Sequence, residues 1–318
     1  MNILDWLLVN TARLTALGIT SARLDCLLFL EDELGHDRSW VLAHPEYEIE
    51  LNTINVLEPL ITARMAHKPM AQLRGHCEFY GRTFKITPDV LQPRPETETM
   101  IELLLQIFTH DPRLRRTPLT SSESGATLAS FDDNYEIKTP LAETIQAPPN
   151  GLNDQVSMER CITIADVGTG SGALGITAQL ELPDTVVELL ELDAAAIAVA
   201  QTNVINHTTG MPVIMSDLLS AATIDYDILL CNLPYVPDGC AINEAAKFEP
   251  AIALFGGSDG LDLYRRLFDQ IKNVENKPLY ILFESLESQH IEITKLVRDN
   301  GYSLSNSRDL IQVFIRIS

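Results

Sequence analysis

The sequence predicts an α/β protein with a doubly wound, mostly parallel sheet. From about residue 160 onward, apolar strand segments alternate with helical segments, and a glycine-rich turn joins the first strand to the first helix. Polar residues also stand where apolar strands stop, as at Asp166 and Asn232. Sheets of this kind bind ligands outside the carboxyl ends of their strands, so we expect the site there.

The composition limits the class of protein. With 318 residues, 46% of them hydrophobic, the chain is long enough for about two domains. A net charge of −21 argues against tight, sequence-independent binding to nucleic acid. The amino-terminal segment lacks a basic region, and no apolar run approaches ~18 residues, so we expect neither a signal peptide nor a membrane span. The five cysteines lack metal-ligand spacing, which predicts reduced, mostly buried thiols in a cytoplasmic protein without a metal site.

The first half of the chain divides into four segments. Leucines at near-helical spacing predict a helical amino-terminal domain over residues 1–74, for which we expect substrate docking, with simple packing as the alternative. A period of two predicts a connecting hairpin at 78–91, and Pro95 suits the first position of the helix that follows. Residues 112–160 are rich in Ser, Thr, Pro, Asn and Asp without a sustained period. We interpret them as a flexible insertion, with a lid over the site as the alternative.

The second half, residues 75–318 without the insertion, is predicted to be one domain built on the sheet. Its expected strands are CITIADVG, TVVELLEL, MPVIMS, YDILLCN, PLYILFES and IQVFIRI, and its expected helices are ALGITAQLEL, AAAIAVAQTNVI and GLDLYRRLFDQI.

The glycine-rich segment ADVGTGSGALG follows the first strand of this sheet. Gly168, Gly170 and Gly172 permit positive φ and leave backbone amides free to approach a ligand. The letters GSGALG also match the dinucleotide pattern G-x-G-x-x-G, and Glu191 ends the next strand, where it could bind a ribose. On this segment alone a nicotinamide cofactor stays possible, as does a purely structural turn.

Three further residues favour S-adenosyl-L-methionine as the cofactor. Asp166 stands two residues before the first glycine, where a carboxylate can meet a cationic amino-acid group but would repel a pyrophosphate. Asp217 follows the third strand and could accept the adenine amino hydrogens. Asn232 begins the segment Asn-Leu-Pro-Tyr at the end of the fourth strand. Together these positions fit one ligand lying along successive strand ends.

The segment Asn-Leu-Pro-Tyr suits an acceptor that presents a planar NH₂ group. The Asn232 oxygen and the main-chain carbonyl of Leu233 can accept its two hydrogens, which raises electron density on a poorly nucleophilic nitrogen. Pro234 favours an extended Leu233, and Tyr235 offers a face for stacking. Positioning and electrostatics would then carry methyl transfer without a general base. The alternative is an ordinary turn that closes a strand.

At this point the sequence resembles the protein-(glutamine-N5) methyltransferases that modify peptide chain release factors. SARLDCLLFLEDELG looks like the family's helical amino-terminal domain, and KPMAQLRGHCEFYGRTFKITPDVLQPRPETE is close to its hairpin and Pro-Arg-Pro-Glu-Thr-Glu segment. ADVGTGSGALGI matches its cofactor loop, and FEPAIALFGGSDGLDLYRRL matches the segment after the catalytic turn. The resemblance covers nearly the whole chain apart from 112–160.

This resemblance implies a Rossmann-like class I S-adenosylmethionine-dependent methyltransferase fold and a glutamine in a Gly-Gly-Gln loop of a release factor as acceptor. Asn232, Leu233, Pro234 and Tyr235 would then cradle the glutamine. The cofactor positions implied by the resemblance are Gly168, Thr169, Gly170, Ser171, Gly172, Glu191, Leu218 and Asn232. We add Asp166 and Asp217 because they stand at the ends of predicted strands.

The chain departs from the family pattern at three places. The family usually has an aromatic residue at the position of Leu218, a proline at that of Leu233 and a glycine after Glu284. We expect Leu218 to give the adenine a weaker, aliphatic contact. These departures affect affinity more than reaction class.

Two other functions fit parts of the sequence. An adenine-N6 methyltransferase of RNA or DNA would use the same turn, although the charge of −21 opposes it. A binding protein that keeps the fold without methyl transfer is the second alternative. Apart from the release factor as a protein substrate, we expect no membrane partner and no direct nucleic-acid partner.

Overall fold

The computed structural model describes residues 1–114 and 161–317. Five helices lie within the first 74 residues and enclose a core of their own that includes Trp6, Phe29 and Leu30. The first helix begins where the Asn2 side chain accepts a hydrogen bond from the amide of Asp5, which satisfies one of its free N–H groups. The helices are α1 (Ile3–Thr15), α2 (Ala22–Leu34), α3 (Arg38–Ala43), α4 (Leu51–Met65) and α5 (Met70–Arg74).

A two-stranded antiparallel hairpin follows these helices, formed by β1 (His76–Phe79) and β2 (Arg82–Lys85). Its two-residue turn has positive φ at both Tyr80 and Gly81, the geometry that matches the twist of a hairpin. The strands therefore begin two residues before the predicted range of 78–91 and end at Lys85. Arg82 is the first residue of β2.

Helix α6 (Pro95–His110) begins with Pro95 at its first position, as the sequence predicts. A short 3-10 turn, Pro112–Leu114, follows it and buries Leu114 in the core of the sheet. The predicted insertion at 112–160 therefore does not include these three residues. Its remainder, 115–160, lies outside the described residues.

The described residues of the second half form one seven-stranded sheet with the order β5-β4-β3-β6-β7-β9-β8. All strands run parallel except β9, which is antiparallel to both β7 and β8. The strands are β3 (Thr163–Val167), β4 (Val186–Glu191), β5 (Val213–Met215), β6 (Ile228–Cys231), β7 (Tyr280–Glu284), β8 (Tyr302–Arg308) and β9 (Ile311–Arg316). The helices are α7 (Ala173–Glu181), α8 (Ala194–Asn206), α9 (Asp262–Ile271) and α10 (His290–Asp299).

The class I methyltransferase fold expected from the sequence is thus confirmed, with two elements that the sequence analysis did not predict, β8 and α10. The central strands β6 and β7 are buried along their whole length because helices cover both faces of the sheet. The chain runs outward from β3 to β4 and β5, and then returns to place β6 on the other side of β3. This reversal opens a crevice at the carboxyl ends of β3 and β6, the usual ligand position in such sheets.

A buried asparagine on α8 ties the hairpin to the glycine-rich turn. The side chain of Asn203, 0% exposed, accepts a hydrogen bond from the Lys85 amide at 2.8 Å. Its Nδ2 donates to the carbonyls of Lys85 at 3.1 Å and of Ser171 at 2.8 Å. One side chain therefore holds β2 and the glycine-rich turn against α8.

We predict that Asn203→Ala lowers the free energy of unfolding by about 3 kcal/mol, because three backbone groups, two of them at Lys85 and one at Ser171, lose their partner on a buried side chain. The measurement is urea denaturation followed by circular dichroism. Asn206→Ala is the matched control on the same helix, since Asn206 is exposed, and it should change stability by less than about 0.5 kcal/mol. Equal stability of the two variants would contradict the bridging role of Asn203.

No helix in the described ranges is both long enough and apolar enough to cross a membrane.

Candidate active site

A cavity of about 480 Å³ lies at the carboxyl ends of β3, β4 and β6. The predicted site residues that line it are Asp166, Gly168, Thr169, Gly170, Ser171, Glu191, Asp217, Leu218, Asn232, Leu233 and Pro234. Two predicted residues lie beside it. Gly172 caps the amino end of α7, and Tyr235 lines an adjoining groove. The fold therefore brings together residues that are spread over 70 positions of sequence.

The glycine-rich turn adopts the backbone geometry that its glycines permit. Gly168, Gly170 and Gly172 have φ of 73°, 56° and 82°, in the left-handed region that side chains disfavour. A Cβ added to Gly168 would lie 3.1 Å from the Leu233 side chain, so the turn packs closely against the segment after β6. The amino end of α7 points toward the cavity with its backbone amides, which suits a ligand that carries hydrogen-bond acceptors.

Asp166 lies one residue before the end of β3 and is buried, at 2% exposure. Its Oδ2 accepts hydrogen bonds from the Thr169 hydroxyl at 2.5 Å and from the Gly175 amide at 2.8 Å. Burial raises the pKa of Asp166 to about 6, and these two hydrogen bonds oppose the rise. The residue thus braces the glycine-rich turn and also presents a carboxylate to the cavity.

Glu191 ends β4 on the wall of the cavity. Its Oε2 accepts from the Gly170 amide at 2.8 Å, and its Oε1 accepts from the amides of Leu192 and Asp193 at 2.8 and 3.0 Å. These bonds fix the carboxylate in one orientation. A carboxylate oxygen accepts more than one hydrogen bond, so Glu191 retains capacity for the hydroxyls of a ribose.

Asp217 and Leu218 follow β5 on the far side of the cavity. The Oδ2 of Asp217 forms an ion pair with Arg266 of α9 at 2.5 Å, so the carboxylate that we expected to meet an adenine amine already has one partner. Leu218 is buried and adopts a positive φ of 55°, and its carbonyl accepts a hydrogen bond from the Ser216 hydroxyl at 2.7 Å. Leu218 therefore gives the cavity an aliphatic wall at this point.

The turn after β6 joins the cavity to the groove. Asn232 lines both, and its Nδ2 donates to the Thr97 hydroxyl at 3.1 Å. The Leu233 side chain is 2% exposed and belongs to the core. The Leu233 carbonyl lies 3.5 Å from the hydroxyl of Tyr264, at the limit of a hydrogen bond. Leucine therefore satisfies a packing requirement at this position, and its backbone remains available for recognition.

The groove beyond Asn232 has a volume of about 460 Å³ and is lined mainly by apolar residues between Leu91 and Leu286. Tyr235 lines it, with its hydroxyl 3.2 Å from Glu284 and its carbonyl 2.8 Å from the Gln289 side chain. The guanidinium of Arg94 also lines it and pairs with the buried Glu249 at 2.5 Å. Burial and the nearby Glu284 carboxylate raise the pKa of Tyr235, so it stays a neutral phenol.

The charges around the cavity suit a cationic ligand. Among the described residues, six carboxylates line it and one guanidinium, that of Arg266, accompanies them. The carboxylates belong to Asp89, Asp166, Glu191, Asp193, Asp217 and Asp262. This set would repel a pyrophosphate and attract an ammonium or a sulfonium. The volume also falls within the roughly 300–1,000 Å³ usual for cofactor sites, so the residues fit S-adenosyl-L-methionine. In the described part of the chain, no His, Cys, Asp and Glu cluster could hold a metal ion.

Several site residues escaped the sequence analysis. Thr97 and Glu284 contact the turn after β6, Gln289 holds the carbonyl of Tyr235, and Arg266 pairs with Asp217. Glu284 could have been found by the rule that identified Asp166, because it too is a polar residue at the carboxyl end of an apolar strand. The other three lie on helices or at helix starts, where no local pattern marks them.

Two protein families match the chain. Residues 5–75 match the PrmC N-terminal domain, and residues 151–247 match the Methyltransferase small domain. The first range coincides with the five amino-terminal helices, and the second contains the glycine-rich turn and the turn after β6.

Curated relatives extend this similarity to most of the chain. A release factor glutamine methyltransferase of Coxiella burnetii is 28% identical, with 91% of this chain and 88% of the relative covered. A bifunctional methyltransferase of Rickettsia bellii is 27% identical over 96% of this chain, which spans about half (52%) of that relative. Among solved structures, the catalytic domain of hMettl16 in complex with an RNA hairpin is 12% identical and has a TM-score of 0.48 over 81% of each chain.

The resemblance to the release factor glutamine methyltransferases is therefore confirmed: the chain is similar to them over most of its length, and it matches the PrmC N-terminal domain and, further along, the Methyltransferase small domain.

Proposed function

We propose that the chain transfers a methyl group from S-adenosyl-L-methionine to the side-chain amide nitrogen (N5) of the glutamine in the Gly-Gly-Gln loop of a peptide chain release factor, in the cytoplasm. The observation that carries this proposal is the position of Asn232, which lines both the carboxylate-lined cavity and the apolar groove. A cofactor in the cavity and a side chain in the groove would meet at this residue. The relatives named as release factor glutamine methyltransferases support the choice of acceptor.

Four residues would hold the cofactor. When bound, it supplies a methyl group on a positively charged sulfur. Asp166 would attract the cationic amino group, Glu191 would accept from the ribose hydroxyls, and Leu218 would cover one face of the adenine. The free oxygen of the Asp217 carboxylate would accept from the adenine amine, because Arg266 engages only Oδ2.

The turn after β6 would hold the acceptor. A glutamine amide is a poor nucleophile because its nitrogen lone pair is delocalised. Asn232 Oδ1 and the Leu233 carbonyl would each accept one of its hydrogens, since a carbonyl oxygen has two lone pairs and Tyr264 approaches only one. Pro234 keeps residue 233 extended, and Tyr235 would pack against the planar amide. Two aimed acceptors raise electron density on the nitrogen, and no base is required before transfer.

An adenine-N6 acceptor and a nicotinamide cofactor are both disfavoured by charge. A nucleic acid would bring phosphates toward a chain of net charge −21, and a dinucleotide would bring a pyrophosphate toward six carboxylates. We therefore expect no direct nucleic-acid partner, and no membrane partner.

The amino-terminal helices are proposed to dock the release factor. They expose apolar side chains that their own core does not cover, among them Leu8 at 59% and Leu51 at 72% exposure. Such exposed apolar side chains can contact a protein partner.

The direct test of this function combines the chain with isotope-labelled cofactor and a release factor, followed by peptide mapping. We predict label on the glutamine of the Gly-Gly-Gln peptide. Label on other peptides only, or no label with cofactor bound, would overturn the assignment. Calorimetry with NADH and with S-adenosyl-L-methionine tests which cofactor binds. A nicotinamide cofactor is excluded if S-adenosyl-L-methionine gives binding heat and NADH does not. A chain that binds neither would be a non-catalytic binding protein.

We predict that Asn232→Ala lowers kcat by about 100-fold to 1,000-fold, because it removes an acceptor aimed at the reacting nitrogen. The measurement is single-turnover transfer at saturating cofactor. Asn273→Ala, at an exposed asparagine beyond the end of α9, is the control and should transfer at the wild-type rate. An Asn232→Ala variant with wild-type turnover would contradict the proposed mechanism.

We predict that cofactor affinity weakens about tenfold between pH 7 and pH 5, because Asp166 takes up a proton below its pKa of about 6 and loses its attraction for a cation. The measurement is calorimetry across this range. Asp166→Asn should bind weakly at both pH values, whereas Asp238→Asn, at an exposed position, should keep the wild-type dependence.

Protonation of Asp166 would not weaken binding by unfolding the chain. Its pKa is higher in the folded chain than in the unfolded chain, so this group stabilises the fold as the pH falls through 6. Affinity that does not change with pH in the wild type would contradict the role of Asp166.

A further inference from the structure

A short series of hydrogen bonds starts at the buried carboxylate of Glu284 and ends on the Asn232 amide. The Thr97 hydroxyl donates to Glu284 Oε2 at 2.7 Å, and Asn232 Nδ2 donates to the Thr97 oxygen at 3.1 Å. Thr97 is 3% exposed and Glu284 is 0% exposed, so water does not compete for the bond between them, and the bond from Asn232 is partly buried. Thr97 lies in the first turn of α6 and Glu284 at the end of β7, so the series joins two elements to the turn after β6.

The donors and acceptors in this series fix its direction. An ionised carboxylate can only accept, and a hydroxyl has one proton to donate. Thr97 gives that proton to Glu284, so its oxygen can only accept from Asn232. The NH₂ group of Asn232 must then face Thr97, and Oδ1 must face away from it. An amide has nearly the same shape in its two orientations, so its hydrogen-bond partners decide which one is populated.

The same carboxylate also holds the other end of the turn. The Tyr235 hydroxyl donates to Glu284 Oε1 at 3.2 Å. The backbone carbonyl of Glu284 accepts from the Tyr264 hydroxyl at 2.5 Å, and that hydroxyl lies 3.5 Å from the Leu233 carbonyl. One buried residue therefore contacts, directly or through one side chain, three of the four residues that would hold the acceptor.

We propose that Thr97 and Glu284 are positioning residues for methyl transfer: the carboxylate of Glu284 orients the Thr97 hydroxyl, which turns the oxygen of Asn232 toward the acceptor amide. This inference rests on the proposed function. It assigns a role to two residues that are not among those proposed to hold the cofactor or the acceptor.

Protonation of Glu284 would remove this control. A protonated carboxyl can donate to Thr97, whose own proton is then free to donate to Asn232 Oδ1, and the amide would turn over. The groups that face Glu284 are Arg94 and Glu96 at the start of α6, Tyr235 after β6 and Tyr264 on α9. Burial is the main cause that raises the pKa of Glu284 above its ordinary value, so kcat should fall on the acid side.

The first test replaces the Thr97 hydroxyl. Thr97→Val keeps the shape of the side chain and should lower kcat by about tenfold to 100-fold, with KM for the release factor and cofactor affinity within about twofold of wild type. Thr97→Ser restores the hydroxyl and should restore most of kcat. Thr99→Val is the matched control two residues further along α6, where the hydroxyl donates at 3.2 Å to the surface residue Asp309, and it should leave kcat unchanged.

The second test replaces the carboxylate. Glu284→Gln cannot ionise, so it should remove the acid limb from the pH profile of kcat that the wild type shows. A Thr97→Val variant with wild-type kcat, or a Glu284→Gln variant with an unaltered acid limb, would overturn the inference.

A readout without substrate separates this inference from the proposed function. In ¹⁵N spectra of the free protein, the side-chain NH₂ of Asn232 should exchange slowly with water in the wild type and in Thr97→Ser, and rapidly in Thr97→Val. Slow exchange in a wild type that methylates no release factor would refute the function and leave the orientation of Asn232 supported. Rapid exchange in an active wild type would refute the orientation and leave the function supported.

Discussion

The buried carboxylate of Glu284 is the constraint on which the turn after β6, the proposed acceptor side of the site, depends. A carboxylate that is removed from water requires hydrogen-bond donors, because an unpaired charge in the interior is costly. Its donors come from Thr97 on α6 and from Tyr235 after β6. The start of α6 therefore helps to hold the turn after β6 in place. These bonds link the first turn of α6 to a turn that is more than 130 positions away in sequence.

The cofactor side of the site depends on a different kind of interaction, the charge of its walls. The parallel strands deliver Asp166, Glu191 and Asp217 to one edge of the sheet, where no comparable set of basic residues offsets them among the described residues. Asp166 is buried deeply enough for its pKa to rise to about 6, so its charge is maintained at neutral pH at some cost to stability. A cationic ligand relieves this cost, whereas a phosphate-bearing ligand increases it.

The two spaces adjoin each other, and five of the described residues, among them Asn232, line both. The cavity carries six carboxylates in an otherwise mainly apolar wall, whereas the groove beyond Asn232 is mainly apolar with Arg94 at its side. The proposed ligands differ in charge in a matching way, because the methyl donor is a cation and the acceptor amide is uncharged. The side chain of Leu233 packs against Gly168, so leucine meets a packing requirement of this turn.

The sequence predicted those features that local rules govern. The parallel strands, the glycine-rich turn and the start of α6 at Pro95 follow from periodicity and backbone preference. Strand β8 was missed because it is an exposed edge strand, with only Tyr302 fully buried. Helix α10 was missed because it buries only Ile293 and Val297, too few positions for a clear helical period. Asn203 and Thr97 were missed because their partners are distant in sequence and no local pattern marks a side chain that bonds across the fold.

The most direct measurement of the central claim is a crystal structure of the chain with S-adenosylhomocysteine and a peptide that contains Gly-Gly-Gln. The account predicts that the glutamine Nε2 lies within about 3.2 Å of both Asn232 Oδ1 and the Leu233 carbonyl oxygen. A glutamine that faces the NH₂ group of Asn232, or that binds away from the junction of cavity and groove, would contradict it.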